Sequence, residues 1–394
     1  MLEDLRRTQS TPSSDIERDV REGRLPLSLL FSGKRGSSRL TGALELAFYL
    51  TGEEANYPYL RSSRIVYLAE RDLRLETEAS LSLFRRQRND RSRRFLIKTV
   101  RKTLLQYHVS IASLYENKKS GVKLRDEEGR GDTLFSNAEA IDAIILSLED
   151  EKSFPQEKVD EICTELSARM KDDFFTLGKK SAGATIDEIR AVQDWLDEGI
   201  EEKCLILENP EDLTEGAKNS MLKLLEEPPE HSHIILLSAR PDRLLPTILS
   251  RVRKYHFPEL PEKVISTLIG EDLAIYGSYT SFDSFFFAEG SDEESRRAME
   301  EAVSLYSEAL LAGRMLTLED ETRIFSAIEK MHSYPYFRER ISEVLEDALR
   351  KGGNLKCVKK AWRSLNEAMF RADTYNMNIR LAFDAALREA CCGE

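Results

Sequence analysis

The sequence predicts an α/β domain built on a parallel sheet, followed by a helical C-terminal region. Leu27–Ser32 (LSLLFS) is a short apolar run between turn signals, which is typical of a buried strand. A turn of small residues at Gly33–Ser38 and a helix pattern at Gly42–Leu50 follow this strand. Strand and helix patterns alternate again between residues 185 and 257, as they do in a sheet covered by helices on both faces. After Pro258 the strand signal ends and helix patterns continue toward the C-terminus.

The first half of the chain adds a leader, a second strand and a long charged segment. Residues 1–24 are expected to form a leader, with Ser10–Ser14 as a loop before a short helix. Ile65–Ala69 (IVYLA) has the composition of a buried strand. Most of the span from about residue 70 to 180 is charged and has helical periodicity, so it predicts a helical insertion.

The segment Lys203–Phe257 carries the clearest alternation. Cys204–Leu207 and Ile234–Ser238 are apolar runs of strand length. Thr214 is a good N-cap for a helix that runs to Leu225 and is stopped by two prolines. The predicted organisation is therefore a leader at 1–24, an α/β domain at 25–257 with the insertion, a small helical domain at 258–292 and a C-terminal helical domain at 293–394.

Composition limits the classes of function. The 394 residues are 41% hydrophobic and 32% charged, with a net charge of −12, so no global positive field attracts nucleic acid. The five cysteines form no C-x-x-C pair, and no metal site is predicted. The N-terminus lacks the apolar core of a signal peptide, and no run approaches membrane-spanning length. These observations lead us to expect a cytoplasmic protein without membrane association.

The turn after the first strand is similar to a degenerate phosphate-binding loop. In the working pattern Gly-x-x-x-x-Gly-Lys-[Ser/Thr], backbone N–H groups and the lysine bind phosphates and the hydroxyl binds Mg²⁺. The aligned residues are Gly33, Lys34, Arg35, Gly36, Ser37, Ser38, Arg39 and Leu40.

Three positions of this loop depart from the pattern. Ser38 replaces the second glycine, Arg39 replaces the lysine, and Leu40, which has no metal-binding atom, replaces the hydroxyl residue. We therefore expect no hydrolysis of ATP and no required cofactor, with only residual nucleotide binding through the helix N-terminus. Two alternatives stay open: an ordinary strand-to-helix turn, and a shift of Thr41 into the metal-binding role.

A second pair of residues also departs from the pattern of a working nucleotide hydrolase. A nucleotide hydrolase of this kind has Asp-Glu after its central strand, one acid for the Mg²⁺ shell and one to orient the attacking water. This chain has Glu208 and Asn209, and an amide cannot accept a proton as a carboxylate does. A polar strand end explains this pair on its own, but together with Arg39 and Leu40 it predicts an inactive site.

The Ser250-Arg251 pair ends a short helix pattern. On its own, Arg251 could simply stabilise a helix C-terminus. However, it follows LKLLEEPP (Leu222–Pro229) and RLLPTIL (Arg243–Leu249), and this order resembles clamp-loader subunits of bacterial DNA polymerase III, which are AAA+ ATPases. The failed motifs make the delta-prime type the nearest resemblance within that family.

The resemblance covers Leu27–Leu50 and about Ile186–Phe257. It departs from the family at Val252, where those subunits have cysteine, and in lacking their four-cysteine zinc module, whose place the helical insertion takes.

The resemblance implies an AAA+ fold in which 258–292 is the lid and 293–394 the collar. It implies that Arg251, together with Ser250, acts as an arginine finger on ATP bound by a neighbouring subunit of a pentameric ring. The implied partners are gamma/tau-type and delta-type subunits, with the sliding clamp and primer-template DNA reached through the assembly. Two alternatives stay open: a gamma/tau-type ATPase with divergent motifs, and an AAA+ scaffold outside replication.

The segment Arg85–Lys102 is the strongest concentration of positive charge in this acidic chain. Phosphate contact with DNA or docking on an acidic partner is one interpretation, and the solvated face of an amphipathic helix is the other. The candidate contact residues are Arg85, Arg86, Arg88, Arg91, Arg93 and Arg94.

Overall fold

A computed structural model describes most of the protein. The described residues are 1–68, 73–116, 124–125, 131–132, 134–171, 174–175, 184–331, 333–351, 354–375 and 379–392. The chain forms two compact units. The first comprises Met1–Leu73 and Ser80–Phe282, and the second comprises Arg74–Ala79 and Asp283–Glu394.

The first unit is built on a five-stranded parallel sheet. Its strands are β1 (Ser28–Ser32), β2 (Ile65–Leu68), β5 (Lys203–Glu208), β6 (Ser232–Ser238) and β7 (Arg253–His256), in the order β2-β5-β6-β1-β7. A separate antiparallel pair joins β3 (Leu124–Arg125) to β4 (Gly131–Asp132). The predicted α/β class with a parallel sheet flanked by helices is confirmed.

Four of the five sheet strands agree with apolar runs in the sequence. The predicted end of β2 at Ala69 lies outside the described residues. The edge strand β7 was not predicted, because only Tyr255 of its four residues is buried and the others are polar and exposed. An edge strand of this kind gives no apolar run to detect.

Helices cover both faces of the sheet. The helices that include residues of the first unit are α1 (Glu3–Thr8), α2 (Ser10–Arg21), α3 (Arg39–Leu50), α4 (Arg74–Gln87), α5 (Asp90–Leu104), α6 (Val109–Glu116), α7 (Leu134–Glu149), α8 (Gln156–Arg169), α9 (Ile186–Asp197), α10 (Glu215–Glu226), α11 (Pro246–Leu249) and α12 (Glu262–Leu273). Alternate residues of β5 face opposite sides: Ile206 packs with residues of α1 to α3, whereas Leu205 and Leu207 pack with residues of α9 and α10.

The N-terminal segment is more ordered than its sequence indicates. The predicted loop at Ser10–Ser14 is wrong, because these residues form the start of α2. Leu2, Leu5 and Ile16 are fully buried against residues of β1 and α3. Burial of this apolar side stabilises helix where Ser, Thr and Pro alone indicate a turn.

The described part of the predicted insertion is mostly helical, and it also contains the short antiparallel pair of β3 and β4. Helices α4, α5, α7 and α8 share a hydrophobic cluster that includes Phe84, Leu96, Ile141 and Leu166. Other residues between 70 and 180 lie outside the described ranges.

The second unit is helical where the structure describes it. It contains α13 (Phe282–Gly290, of which Phe282 belongs to the first unit), α14 (Glu293–Ala312), α15 (Leu318–Met331), α16 (Tyr334–Arg350), α17 (Leu355–Tyr375) and α18 (Ile379–Cys392). Tyr306, Phe337 and Phe383 stack edge to face at its centre, and the Tyr306 hydroxyl donates to the Phe383 carbonyl at 2.7 Å. The lid and collar assignments of 258–292 and 293–394 stay predictions.

Within the described ranges, every helix is too short or too polar to cross a membrane.

Candidate functional site

The phosphate loop, Gly33–Leu40, joins the carboxyl end of β1 to the first turn of α3. The Gly33 N–H donates to the Ser238 carbonyl at 3.0 Å, which ties the loop to β6. A Cβ on Gly33 would overlap the Phe257 carbonyl oxygen and lie 2.7 Å from Ser37 Oγ, so only glycine fits there. The sequence thus retains the strand–turn–helix geometry of a phosphate loop at the edge of a parallel sheet where ligands commonly bind.

Two residues of the loop have left-handed backbone conformations. Gly36 has φ of +81° and Ser38 has φ of +63°. Glycine adopts this conformation freely, but serine carries a strain of about 1–2 kcal/mol. The loop therefore keeps its shape at Ser38 although the residue that favours that shape is missing.

The Arg39 side chain turns inward and is only 6% exposed. Its Nη1 donates to the Gly33 carbonyl of the loop itself, and its Nη2 lies 3.4 Å from Oε1 of Glu208. The second carboxylate oxygen of Glu208 accepts a hydrogen bond from the Tyr67 hydroxyl at 2.5 Å. Arg39, which the sequence aligns with the phosphate-binding lysine of a working loop, thus makes its contacts within a buried network of this chain.

The remaining loop residues have other partners. Leu40 packs in the hydrophobic cluster below the sheet, away from any metal-binding role. Lys34 is exposed and pairs with Glu259, and Arg35 is exposed. Ser37 Oγ is buried and accepts or donates no hydrogen bond within the described residues.

Gln9 was not singled out by the sequence, yet it contacts the phosphate loop. Its buried side-chain amide donates to the Ser37 carbonyl at 3.0 Å and to the Pro258 carbonyl at 2.6 Å. The N-terminal helices are thereby linked to the loop and to the segment after β7. No local pattern around Gln9 indicates this contact.

The acidic motif after β5 contains a third residue that the sequence did not reveal. Asn209 has φ of +52°, and its N–H donates to the Leu237 carbonyl at 2.9 Å. Glu211, two residues further on, has a fully buried side chain; its Oε1 accepts the Arg240 N–H at 3.2 Å, whereas Oε2 has no hydrogen-bond partner in the part of the chain that the structure describes. Burial raises the pKa of the Glu211 carboxyl above its ordinary value.

Arg251 lies at the surface, at the C-terminal end of α11. Its side chain is 33% exposed, and Nη1 donates to the Thr247 carbonyl at 2.8 Å. Nη2 lies 2.6 Å from Oε1 of Glu226, the last residue of α10. Ser250 donates its hydroxyl to the same Thr247 carbonyl at 3.0 Å. The structure thus brings together LKLLEEPP and the Ser-Arg pair, which are separated in sequence.

The basic segment divides into an exposed and a buried part. Arg93 is a correction to the predicted contact surface, because it is buried and donates to the Leu148 and Glu149 carbonyls at the end of α7 at 2.8 and 2.6 Å. Arg94 is exposed and pairs with Asp90 at 2.7 Å. The other candidates at this turn between α4 and α5 are exposed: Arg85, Arg86, Arg88 and Arg91.

This geometry defines an α/β domain in which a strand–loop–helix turn lies at one end of the parallel sheet and a Ser-Arg pair lies at the surface. Parts of the chain are similar to subunits of DNA polymerase III. A family model described as "DNA polymerase III, delta subunit" matches residues 125–261.

Three curated relatives illustrate the similarity. Subunit delta' of Escherichia coli (strain K12) is 31% identical over 29% of this chain and 35% of its own length. Subunit delta' of Bacillus subtilis (strain 168) is 36% identical over 22% of this chain and 28% of its own. Subunit tau of the same Bacillus strain is 30% identical over 37% of this chain and 26% of its own.

A solved structure is also similar in part. A gamma subunit-related protein of DNA polymerase III from Thermotoga maritima matches with 22% identity and a TM-score of 0.30, over 54% of this chain and 81% of that chain. The matched segments span 26% to 35% of the three curated relatives described above. Within the matched segments, the resemblance to clamp-loader-type subunits of DNA polymerase III is confirmed.

Proposed function

We propose that this chain is a delta-prime-like subunit of a DNA polymerase III clamp loader, which does not hydrolyse ATP itself and supplies Arg251 to ATP bound by a neighbouring subunit. Its partners would be gamma/tau-type and delta-type subunits in a pentameric ring. The sliding clamp and primer-template DNA would be reached through that assembly. The observation that carries the proposal is the buried contact of Arg39 with Gly33 and Glu208.

The loop in which Arg39 binds Gly33 and Glu208 is here called the closed loop, and it argues against ATP hydrolysis by this chain. A phosphate bound at the loop would compete with Glu208 for the Arg39 guanidinium, and its binding would leave the buried Glu208 carboxylate without its cationic partner, which is unfavourable. Leu40 offers no oxygen for Mg²⁺, and Asn209 cannot act as a carboxylate toward the attacking water. The hydroxyl that binds Mg²⁺ and the carboxylate that orients the attacking water in a working site are therefore both replaced in this chain.

The position of Arg251 supports the role in trans. Its ion pair with Glu226 is exposed on both sides, at 33% and 49%, and such pairs contribute only about 0–1 kcal/mol. Arg251 is therefore accessible to a neighbour's phosphate at little cost. An arginine supplied to another active site accelerates phosphoryl transfer by on the order of 10³–10⁵.

The names of the relatives do not choose between the delta-prime and gamma/tau types, because both occur among them. The closed loop favours the delta-prime type over an ATPase with divergent motifs. A scaffold outside replication would keep the same closed loop, and purification of the chain from cells distinguishes it. We expect polymerase III subunits to be recovered with the chain; their consistent absence would favour the scaffold.

Nucleotide assays on the isolated chain test the first half of the proposal. We expect no ATP hydrolysis with Mg²⁺ present, and Arg251→Ala is the matched control because it changes a surface arginine outside the loop. Hydrolysis by the wild-type chain that disappears in Arg39→Ala but persists in Arg251→Ala would instead establish an active ATPase.

A further inference from the structure

We propose that Glu226 holds Arg251 in a resting position and competes for it with a neighbour's phosphate. The inference rests on the proposed function, because it concerns the same arginine. It adds a second residue, on another helix, that controls when the finger is available.

Both terminal nitrogens of Arg251 are engaged within the chain. Nη1 is bound to the Thr247 carbonyl of its own helix end, and Nη2 is bound to the Glu226 carboxylate. Arginine binds phosphate most strongly when two N–H groups point at two oxygens. Nη2 must therefore exchange the carboxylate for the phosphate before Arg251 can act on a neighbour's ATP.

Helix stability does not explain a glutamate at position 226. Glu226 is the last residue of α10, where a negative charge is opposed by the partial negative charge of the helix end. Arg251 is favourably placed at its own helix end by the same argument, and it would remain so without Glu226. The feature that accounts for the carboxylate is thus its 2.6 Å contact with Arg251.

The exposure of the pair suits a reversible contact, here called the latch, in which Glu226 holds Arg251 until a phosphate replaces the carboxylate. Arg251 and Glu226 are 33% and 49% exposed, so water can replace either partner and the pair is weak. A buried pair would hold the arginine too firmly to be released by a ligand. The adjacent Glu227 is also exposed but is not part of this ion pair, which makes it a matched control.

The test is ATP turnover by the ring reconstituted with its partner subunits, with Glu226→Gln or Glu227→Gln in this chain. Without DNA, Glu226→Gln should raise kcat by about 1.5- to 5-fold, the range expected for release of an exposed ion pair, and should leave KM unchanged. Glu227→Gln, which removes the same charge one residue away, should leave both constants unchanged. The effect of Glu226→Gln should vanish in an Arg251→Ala background, because there is then no arginine to release.

The outcomes separate this inference from the proposed function. If Arg251→Ala lowers turnover of the ring but Glu226→Gln does not raise it, the finger stands and the latch is refuted. If both glutamine variants raise turnover equally, a general charge effect replaces the latch. If Arg251→Ala leaves turnover unchanged, the proposed function fails and the latch fails with it.

Discussion

Nη2 of Arg39 lies 3.4 Å from Oε1 of Glu208, so residues of the two motifs that the sequence predicts to be degenerate, 169 positions apart, meet in one buried contact. Arg39 also binds the Gly33 carbonyl, and Glu208 also binds the Tyr67 hydroxyl. The two residues that the sequence aligns with the phosphate-binding lysine and the first acid of a working site are therefore partners of each other.

Removing one member of this pair should destabilise the chain. Arg39→Met leaves the Glu208 carboxylate buried without its guanidinium partner, which costs about 3–5 kcal/mol in free energy of unfolding. In the double variant Arg39→Met, Glu208→Gln the unpaired charge is gone, and we expect much of that loss to be recovered. Urea unfolding of the two single variants and the double variant measures the coupling; purely additive losses would contradict a direct pair.

The strain at Ser38 predicts a stabilising substitution. Ser38→Gly removes the left-handed strain of about 1–2 kcal/mol but increases the freedom of the unfolded chain by about 0.4–1 kcal/mol. We expect a net gain of about 0.5–1 kcal/mol in free energy of unfolding. Ser38→Ala keeps a Cβ at the same φ and should give no gain; a gain in both variants would assign the effect to loss of the hydroxyl instead.

The buried Glu211 carboxyl predicts a pH dependence of stability. Its pKa is raised by burial, so the folded state binds the proton more tightly than the unfolded state, whose pKa is near 4.5. Its contribution to stability is fully present below that unfolded pKa and is lost as pH rises through the folded pKa. Relative to Glu211→Gln, the wild-type chain should therefore lose stability as pH rises above about 4.5 and through the raised folded-state pKa.

Parallel unfolding curves at several pH values measure this difference. Glu211→Gln keeps a side-chain oxygen for the Arg240 N–H while removing the titrating group. A difference between the two proteins that does not change with pH would show that Glu211 does not titrate in this range.

Local patterns in the sequence predicted the sheet and the loop, because both depend on neighbouring residues. The apolar runs that became β1, β5 and β6 are buried on both faces, and the small residues of Gly33–Ser38 suit a tight turn. The sequence also indicated that Arg39 and Leu40 depart from a working motif. It could not indicate that Arg39 contacts Glu208, because the two residues are distant in the chain.

The errors have the same physical origin. Charge alone gives no information on burial, so the sequence places Arg93 among exposed arginines, whereas its side chain binds Asp90 and backbone carbonyls on another helix. The residues of Ser10–Ser14 favour turns and predict a loop, whereas contacts with a distant helix stabilise α2. Glu226 lay within a motif that the sequence did reveal, yet its contact with Arg251 depends on the packing of two helices.

Single-turnover ATP hydrolysis by the reconstituted ring tests whether Arg251 completes an active site in another subunit, as we propose. With DNA and clamp present, Arg251→Ala should leave assembly intact and slow one of the ring's ATP sites by on the order of 10³-fold or more. The amplitude of the fast phase should then fall by the share that one ATP site contributes. An intact ring whose fast phase is unchanged by Arg251→Ala would show that Arg251 does not complete a neighbouring active site.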